Sequence, residues 1–155
     1  MSTPQFLQKP NVAAAGDFVS NALWQDIKRC LKNDRFAERT NVELLTVSPG
    51  HATAKMVLHP HHLNGLGSVQ GGAIFTLADY AFAAAANSHG TVAVALNVSI
   101  TFMKAGTTGT LWAEAREHSK NFKVGLYVVE VKDDAGDLVA QFQGLAYRKK
   151  DKLPV

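Results

Sequence analysis

Apolar positions along this chain change their period twice, and each period predicts a different element. Phe18, Leu23, Ile27 and Leu31 recur near helical spacing. Asp17 stands where it can cap the start of that helix, and Lys28, Arg29 and Lys32 collect near its end, where cations suit the helix dipole. Asn33-Asp34 closes it, with a short turn through Phe36-Ala37. Two strands are predicted next, over 41–48 and 51–59, joined by the tight reversal Pro49-Gly50. After Pro60 comes a loop, His61 to Ser68, whose two glycines and Asn64 suit backbone angles that few other residues tolerate. Residues 71–88 then read as a helix that is apolar nearly all round, which marks a core element and not a surface one. Gly71-Gly72 opens it and Asn87-Ser88-His89-Gly90 ends it.

From residue 92 the period becomes two. Val92, Val94, Leu96, Val98, Ile100 and Phe102 fall on one face of a strand, with Ala93, Ala95, Asn97, Ser99, Thr101 and Met103 on the other. Three more strands are expected over 109–118, 122–132 and 137–148. The turns between them are Gly106-Thr107-Thr108-Gly109, Ser119-Lys120-Asn121 and Asp133-Asp134-Ala135-Gly136. A buried helix needs apolar cover on several sides, and one antiparallel sheet curling around it provides that cover. The expected class is therefore α+β: a curved antiparallel β-sheet wrapped around a long central helix, with an extra N-terminal helix. Residues 1–12, with Pro4 and Pro10, read as a flexible arm, 13–148 as a single domain and 149–155 as a polar tail. The last strands are apolar on both faces, Val124 and Leu126 against Tyr127 and Val129, which implies that a second copy covers the outer one.

Composition narrows the class. The 155 residues are 46% hydrophobic and 19% charged, a globular balance without the long apolar runs of a membrane span. The net charge of +3 suits an anionic small ligand better than nucleic acid, since no block of consecutive Lys and Arg appears. The single Cys30 excludes an internal disulfide framework and a cysteine-rich zinc site. Met1 to Phe6 hold no basic segment leading into an apolar core, so a cytoplasmic location is expected.

Charge itself is most informative where it is missing. From Met56 to Met103, a stretch of 48 residues, Asp79 is the one Asp, Glu, Lys or Arg. A stretch so poor in charge is buried or covered by a second chain. The lone carboxylate inside it is then either costly or the reason the stretch exists.

Candidate chemistry gathers around that helix. Gly71 follows a Gly-containing loop at a helix start, so its N–H belongs to the four donors without an intrahelical partner, at the positive end of the dipole. Paired glycines let a carbonyl oxygen approach such a donor, which describes a carbonyl-polarising site. Asp79 lies eight residues on, about 12 Å along the axis. One carbonyl cannot touch both within a single helix, since contacts need about 3 Å. Either the two are unrelated, or the site is shared between antiparallel copies of the helix. His59, His61 and His62 raise the question of zinc, but Pro60 breaks the spacing and no acidic residue is near in sequence, so no metal is expected.

The run His62-Leu63-Asn64-Gly65-Leu66-Gly67-Ser68-Val69-Gln70-Gly71-Gly72-Ala73-Ile74-Phe75-Thr76-Leu77-Ala78-Asp79 resembles the signature of hotdog-fold acyl-CoA thioesterases of the phenylacetate-degradation type. Asn87-Ser88-His89-Gly90 and Ile100-Thr101-Phe102 followed by Ala105-Gly106 are similar to that family as well. The resemblance spans roughly residues 35–148. It implies the hotdog fold, a homodimer often paired into a homotetramer, and active sites at the dimer interface. It also implies acyl-CoA as substrate, with no nucleic-acid or membrane partner and no cofactor beyond the CoA of the substrate. The Gly71 N–H would polarise the thioester carbonyl, Asp79 of the other chain would activate water or attack directly, and Asn64 would orient the water or the thioester. Where the family usually has His, this chain has Gln70, which donates a hydrogen bond but does not titrate near neutrality. Gly72, Asn97, Phe75, Tyr80 and Phe82 are the further candidates for contact with substrate. Arg116, Lys120 and Lys123 are candidates to meet the CoA phosphates. The rival expectation is a non-catalytic acyl-CoA sensor on the same fold.

Overall fold

The structure, a computed structural model, describes residues 21–154. The arm expected over 1–12 and the helix start expected at Asp17 lie outside them. Helix α1 runs Asn21–Lys32 and buries Ile27, one of the periodic apolar positions, while Arg29 and Lys32 occupy its last turn. Asp34 does more than close α1. Its side chain accepts from the N–H groups of Phe36 (3.0 Å) and Ala37 (2.9 Å), which makes it the N-cap of a short helix α2, Arg35–Arg39, where a turn is expected. Strands β1 (Val42–Ser48) and β2 (His51–Val57) pair antiparallel across Pro49-Gly50, and Gly50 adopts φ 69°, a left-handed conformation that favours glycine.

Helix α3, Gly71–Asn87, is the centre of the molecule. Ala73, Ile74, Leu77, Ala78, Ala81, Phe82, Ala84, Ala85 and Ala86 are all buried. The alanines let strands approach closely, while Ile74, Leu77 and Phe82 each contribute roughly 1.5–3 kcal/mol by leaving water. Strands β3 (Thr91–Phe102), β4 (Thr110–Lys120), β5 (Val124–Lys132) and β6 (Leu138–Lys152) complete one six-stranded antiparallel sheet in the order β1-β2-β4-β5-β6-β3. Alternate residues of β2, β4 and β5 face the helix: Ala52, Ala54 and Met56, then Leu111, Ala113 and Ala115, then Tyr127, Val129 and Val131. Gly144 of β6 gives Phe82 its place, since a Cβ there would stand 2.8 Å from the Phe82 ring. This is the α+β architecture the hydrophobic pattern predicts.

Two expectations need correction. Lys149–Lys152 do not begin a tail: β6 continues through Lys152, which pairs with Thr91, because β3 is long enough to template those polar residues. The apolar face of β3 is also not one face. Ala95 pairs with Ala146 and Asn97 with Leu145, so Leu96 bulges and the parity reverses across it. Val98, Ile100 and Phe102 lie opposite the inward Gly144, Phe142 and Ala140, whereas Val94 pairs with Tyr147 on the outer face. There Tyr147 also faces Val124 of β5, so an apolar row crosses three strands on the side away from α3. Strands β1 and β3 are the sheet edges. No helix among the described residues is long and apolar enough to cross a membrane.

Candidate active site

The start of α3 is built by its cap. Gln70 is extended (φ −65°, ψ 132°), and its side-chain oxygen accepts the Gly72 N–H, while its backbone oxygen accepts from Ala73 at 2.9 Å. Gly72 has to be small for this, since a Cβ there would meet the Gln70 oxygen at 2.6 Å. One donor is left over. The N–H of Gly71 has no acceptor among the described residues, and it stands at the positive end of the helix dipole. Beside it an open groove is lined by Val69, Gly71, Ile74, Phe102, Met103 and Lys104. A carbonyl oxygen fits this arrangement: a free backbone donor in an apolar groove is what a developing negative charge requires.

Asn64 organises the loop that leads there. Its side-chain oxygen accepts from Leu66 N at 2.9 Å, Ser68 N at 3.3 Å and Ser68 Oγ at 3.4 Å. Its side-chain Nδ2 donors have no acceptor among the described residues and face no competing claim.

Asp79 sits two turns along α3 and is half-buried. Its carboxylate makes no hydrogen bond or ion pair with any described residue. Burial pushes its pKa up from 3.8, and the negative charge of Asp34 pushes it further. Among the described residues nothing offsets the cost of ionising it.

The other expected contacts divide. Phe75 is half-buried and meets Phe142 edge-on at 5.6 Å. Phe82 is 2% exposed and packed between Tyr127 and Phe142, so it is core and offers no surface to a substrate. Tyr80 faces a different crevice, with Leu31, Asp34, Val42 and Leu44. Asn97 lies on the outer face, opposite Leu145. The cations Arg116, Lys120 and Lys123 stand toward the end of the sheet where α3 finishes. There Arg116 pairs with Glu114, and Lys120 with Glu117 at 3.2 Å, while Glu117 also holds His89 and Tyr127. Strand direction explains this: β4 leaves the groove at Thr110 and carries those residues away from it. The cation at the groove is Lys104, held by Asp133 (2.7 Å) and Asp137. Its signal in sequence is its position as the first charge after the charge-poor stretch. Phe102 is likewise a groove residue, to which the fragment Ile100-Thr101-Phe102 points, and beside it is Met103, a residue whose apolar bulk suits a pocket wall in sequence as well.

Comparison with known proteins gives the chain a family. The family model described as "Thioesterase superfamily" matches residues 66–140, which include the groove and all of α3. A protein of Archaeoglobus fulgidus is 44% identical over 124 residues, 79% of this chain and 80% of that one. The acyl-coenzyme A thioesterase PaaI of Escherichia coli is 34% identical over 131 residues, 84% of this chain and 94% of its own length. The solved structure of the E. coli PaaI protein superposes with a TM-score of 0.84, covering 88% of this chain and 100% of that chain at 33% identity. The Streptococcus mutans protein smu.793, solved bound to acetyl CoA, superposes with a TM-score of 0.69 at 26% identity, covering 72% of this chain and 91% of its own.

Proposed function

This chain belongs to the thioesterase superfamily and has its hotdog fold, and from that premise we propose that it hydrolyses acyl-CoA thioesters in a site that a second copy completes. The observation that carries the reading is a pair of groups on one helix that are unmatched among the described residues: a Gly71 N–H without an acceptor and an Asp79 carboxylate without a donor. They are about 12 Å apart along α3, too far to act on one carbonyl. Antiparallel pairing of α3 with its counterpart brings Gly71 of one chain toward Asp79 of the other, and places each carboxylate near a helix N-terminus that favours its charged form.

In this arrangement the thioester carbonyl oxygen accepts from the Gly71 N–H. The partner's Asp79 takes a proton from water, whose oxygen bonds to the carbonyl carbon. The carbon–sulfur bond then breaks, and the proton passes to the departing CoA sulfur. Direct attack by the Asp79 carboxylate is the other route, and single-turnover hydrolysis in ¹⁸O-water separates the two by whether label enters the protein. Losing one such donor typically costs about 10²–10³ in rate. Asn64 Nδ2 would orient the thioester or the water, a role supported by its having no acceptor among the described residues. CoA is part of the substrate, and the reaction is proposed without a further cofactor, in the reducing compartment that the single Cys30 suits. The apolar row Val94, Tyr147 and Val124 on the outer face supports further pairing of dimers.

Gln70 favours a second reading, an acyl-CoA sensor, because it caps Gly72 and carries no titrating proton. The deciding experiment measures thiol release across aromatic and aliphatic acyl-CoA substrates for wild type and Asp79→Asn. Turnover in the wild type that falls at least 10²-fold in the variant supports hydrolysis. Tight binding without product in the wild type supports the sensor.

A further inference from the structure

The loop that delivers Gly71 is held at both ends by one residue outside the site itself. His62 closes the 3₁₀ turn Pro60–His62 and is 2% exposed. Its Nδ1 accepts the His59 N–H at 3.0 Å, so that nitrogen carries no proton. Its Nε2 lies 3.0 Å from the backbone oxygen of Thr40, which can only accept, so Nε2 is the protonated nitrogen. The His62 backbone oxygen accepts the Gln70 N–H at 2.8 Å. One residue therefore joins three points: its neutral imidazole holds the C-cap of α2 and the entry to the loop, and its backbone oxygen holds the residue that starts α3. With both ring nitrogens engaged, it is a strut and has no nitrogen left for a metal.

We propose that His62 is a positioning residue for the site: its neutral ring fixes the start of the loop and so the backbone oxygen that anchors Gln70, and through Gln70 the Gly71 N–H, and taking up a proton releases that loop. The geometry requires this. A proton on Nδ1 would face the His59 N–H, donor against donor. Among the described residues the groups around the ring oppose the cation more than they favour it: the Thr40 carbonyl accepts from Nε2 in either state, but the ring is buried and has His61 with its ring centroid at 4.1 Å and His59 at 5.9 Å beside it. Burial and the neighbouring histidines hold the His62 pKa below its ordinary 6.5. The strut thus stays neutral at physiological pH and fails on acidification.

The readout by turnover rests on the thioesterase reading, and the test is chosen to separate the two. Wild type, His62→Leu and His62→Gln are compared in kcat, KM and pH profile with one acyl-CoA substrate, and in amide hydrogen exchange at Gln70 and Ala73. His62→Leu is expected to lose about tenfold or more in kcat with little change in KM, since a misplaced donor is felt in the transition state. His62→Gln, which keeps a donor and an acceptor but does not titrate, is expected to restore most of that kcat. Its acid limb should be that of one ionisation where the wild type falls more steeply. Acidification should deprotect Gln70 in the wild type and not in His62→Gln. Wild-type kcat and pH profile in both variants would overturn the proposal. If His62→Leu does not fold, the profile of His62→Gln decides. If the wild type turns over no acyl-CoA, the thioesterase reading fails on its own, and hydrogen exchange decides for His62: equal deprotection of Gln70 in wild type and His62→Gln overturns it.

Discussion

The Phe102 ring closes the space beside Gly71: a Cβ built on that glycine would stand 3.1 Å from the ring's Cζ. Gly71→Ala must therefore push Phe102 aside by a few tenths of an ångström, at the point where a carbonyl oxygen is to approach the N–H. Turnover is expected to fall at least tenfold with the melting temperature nearly unchanged, because alanine is the better helix former. Adding Phe102→Leu should recover part of the loss. Thiol-release kinetics and thermal unfolding of the three proteins check this.

Asp79→Asn is expected to lower turnover at least 10²-fold and, in the separated chain, where no partner helix offsets the charge, to raise stability near pH 7. The sign follows from the raised pKa. The folded protein holds the Asp79 proton more tightly than the unfolded chain, so ionisation disfavours folding as pH rises from the unfolded value of 3.8 through the folded one. Denaturant titrations of both proteins at neutral pH and near pH 3 should therefore diverge at the first and converge at the second.

Asp34 offers a way to move the acid limb without touching the site. Its charge raises the Asp79 pKa, and its oxygen caps α2. Asp34→Asn keeps the acceptor and removes the charge, so the acid limb of turnover should shift to lower pH with stability preserved. Asp34→Ala should shift the limb likewise and cost about 1 kcal/mol through the lost cap. A pH–rate profile and a denaturation curve for each separate the two effects.

Stability itself should carry the mark of His62. Its folded pKa is lowered, so unfolding takes up a proton below the unfolded value of 6.5. The contribution is fully present above that value and is lost as pH falls through the folded pKa. The denaturant midpoint of the wild type should decline more between pH 7 and pH 5 than that of His62→Gln.

Much of this arrangement is legible in the chain itself. The period of 3.6 over residues 71–88 and the missing charge from Met56 to Met103 locate the central helix, and Gly71 and Asp79 follow from where that helix starts and what it carries. Other parts depend on information that periodicity does not hold. A bulge adds one residue without changing composition, so the reversal at Leu96 leaves the alternation of β3 intact on paper. Phe82 and Phe75 are chemically alike, and only Gly144 across the sheet decides that Phe82 is swallowed by the core. The cations Arg116, Lys120 and Lys123 look available by charge alone. Which end of the sheet each occupies depends on strand direction, and that favours Lys104 at the groove. His62 stands beside two exposed histidines of equal composition, and its different role comes from Thr40, a residue 22 positions away.

Strand β3 ends the sheet with a twelve-residue rim on which Leu96 is 57% exposed and Val94 40%. An isolated copy would present that rim as a template for any extended chain nearby. Under the proposed pairing of copies, dilution should do more than lower turnover: a copy that separates bares this surface and invites clumping, and the concentration at which the preparation turns cloudy on gentle warming becomes a measure of that pairing.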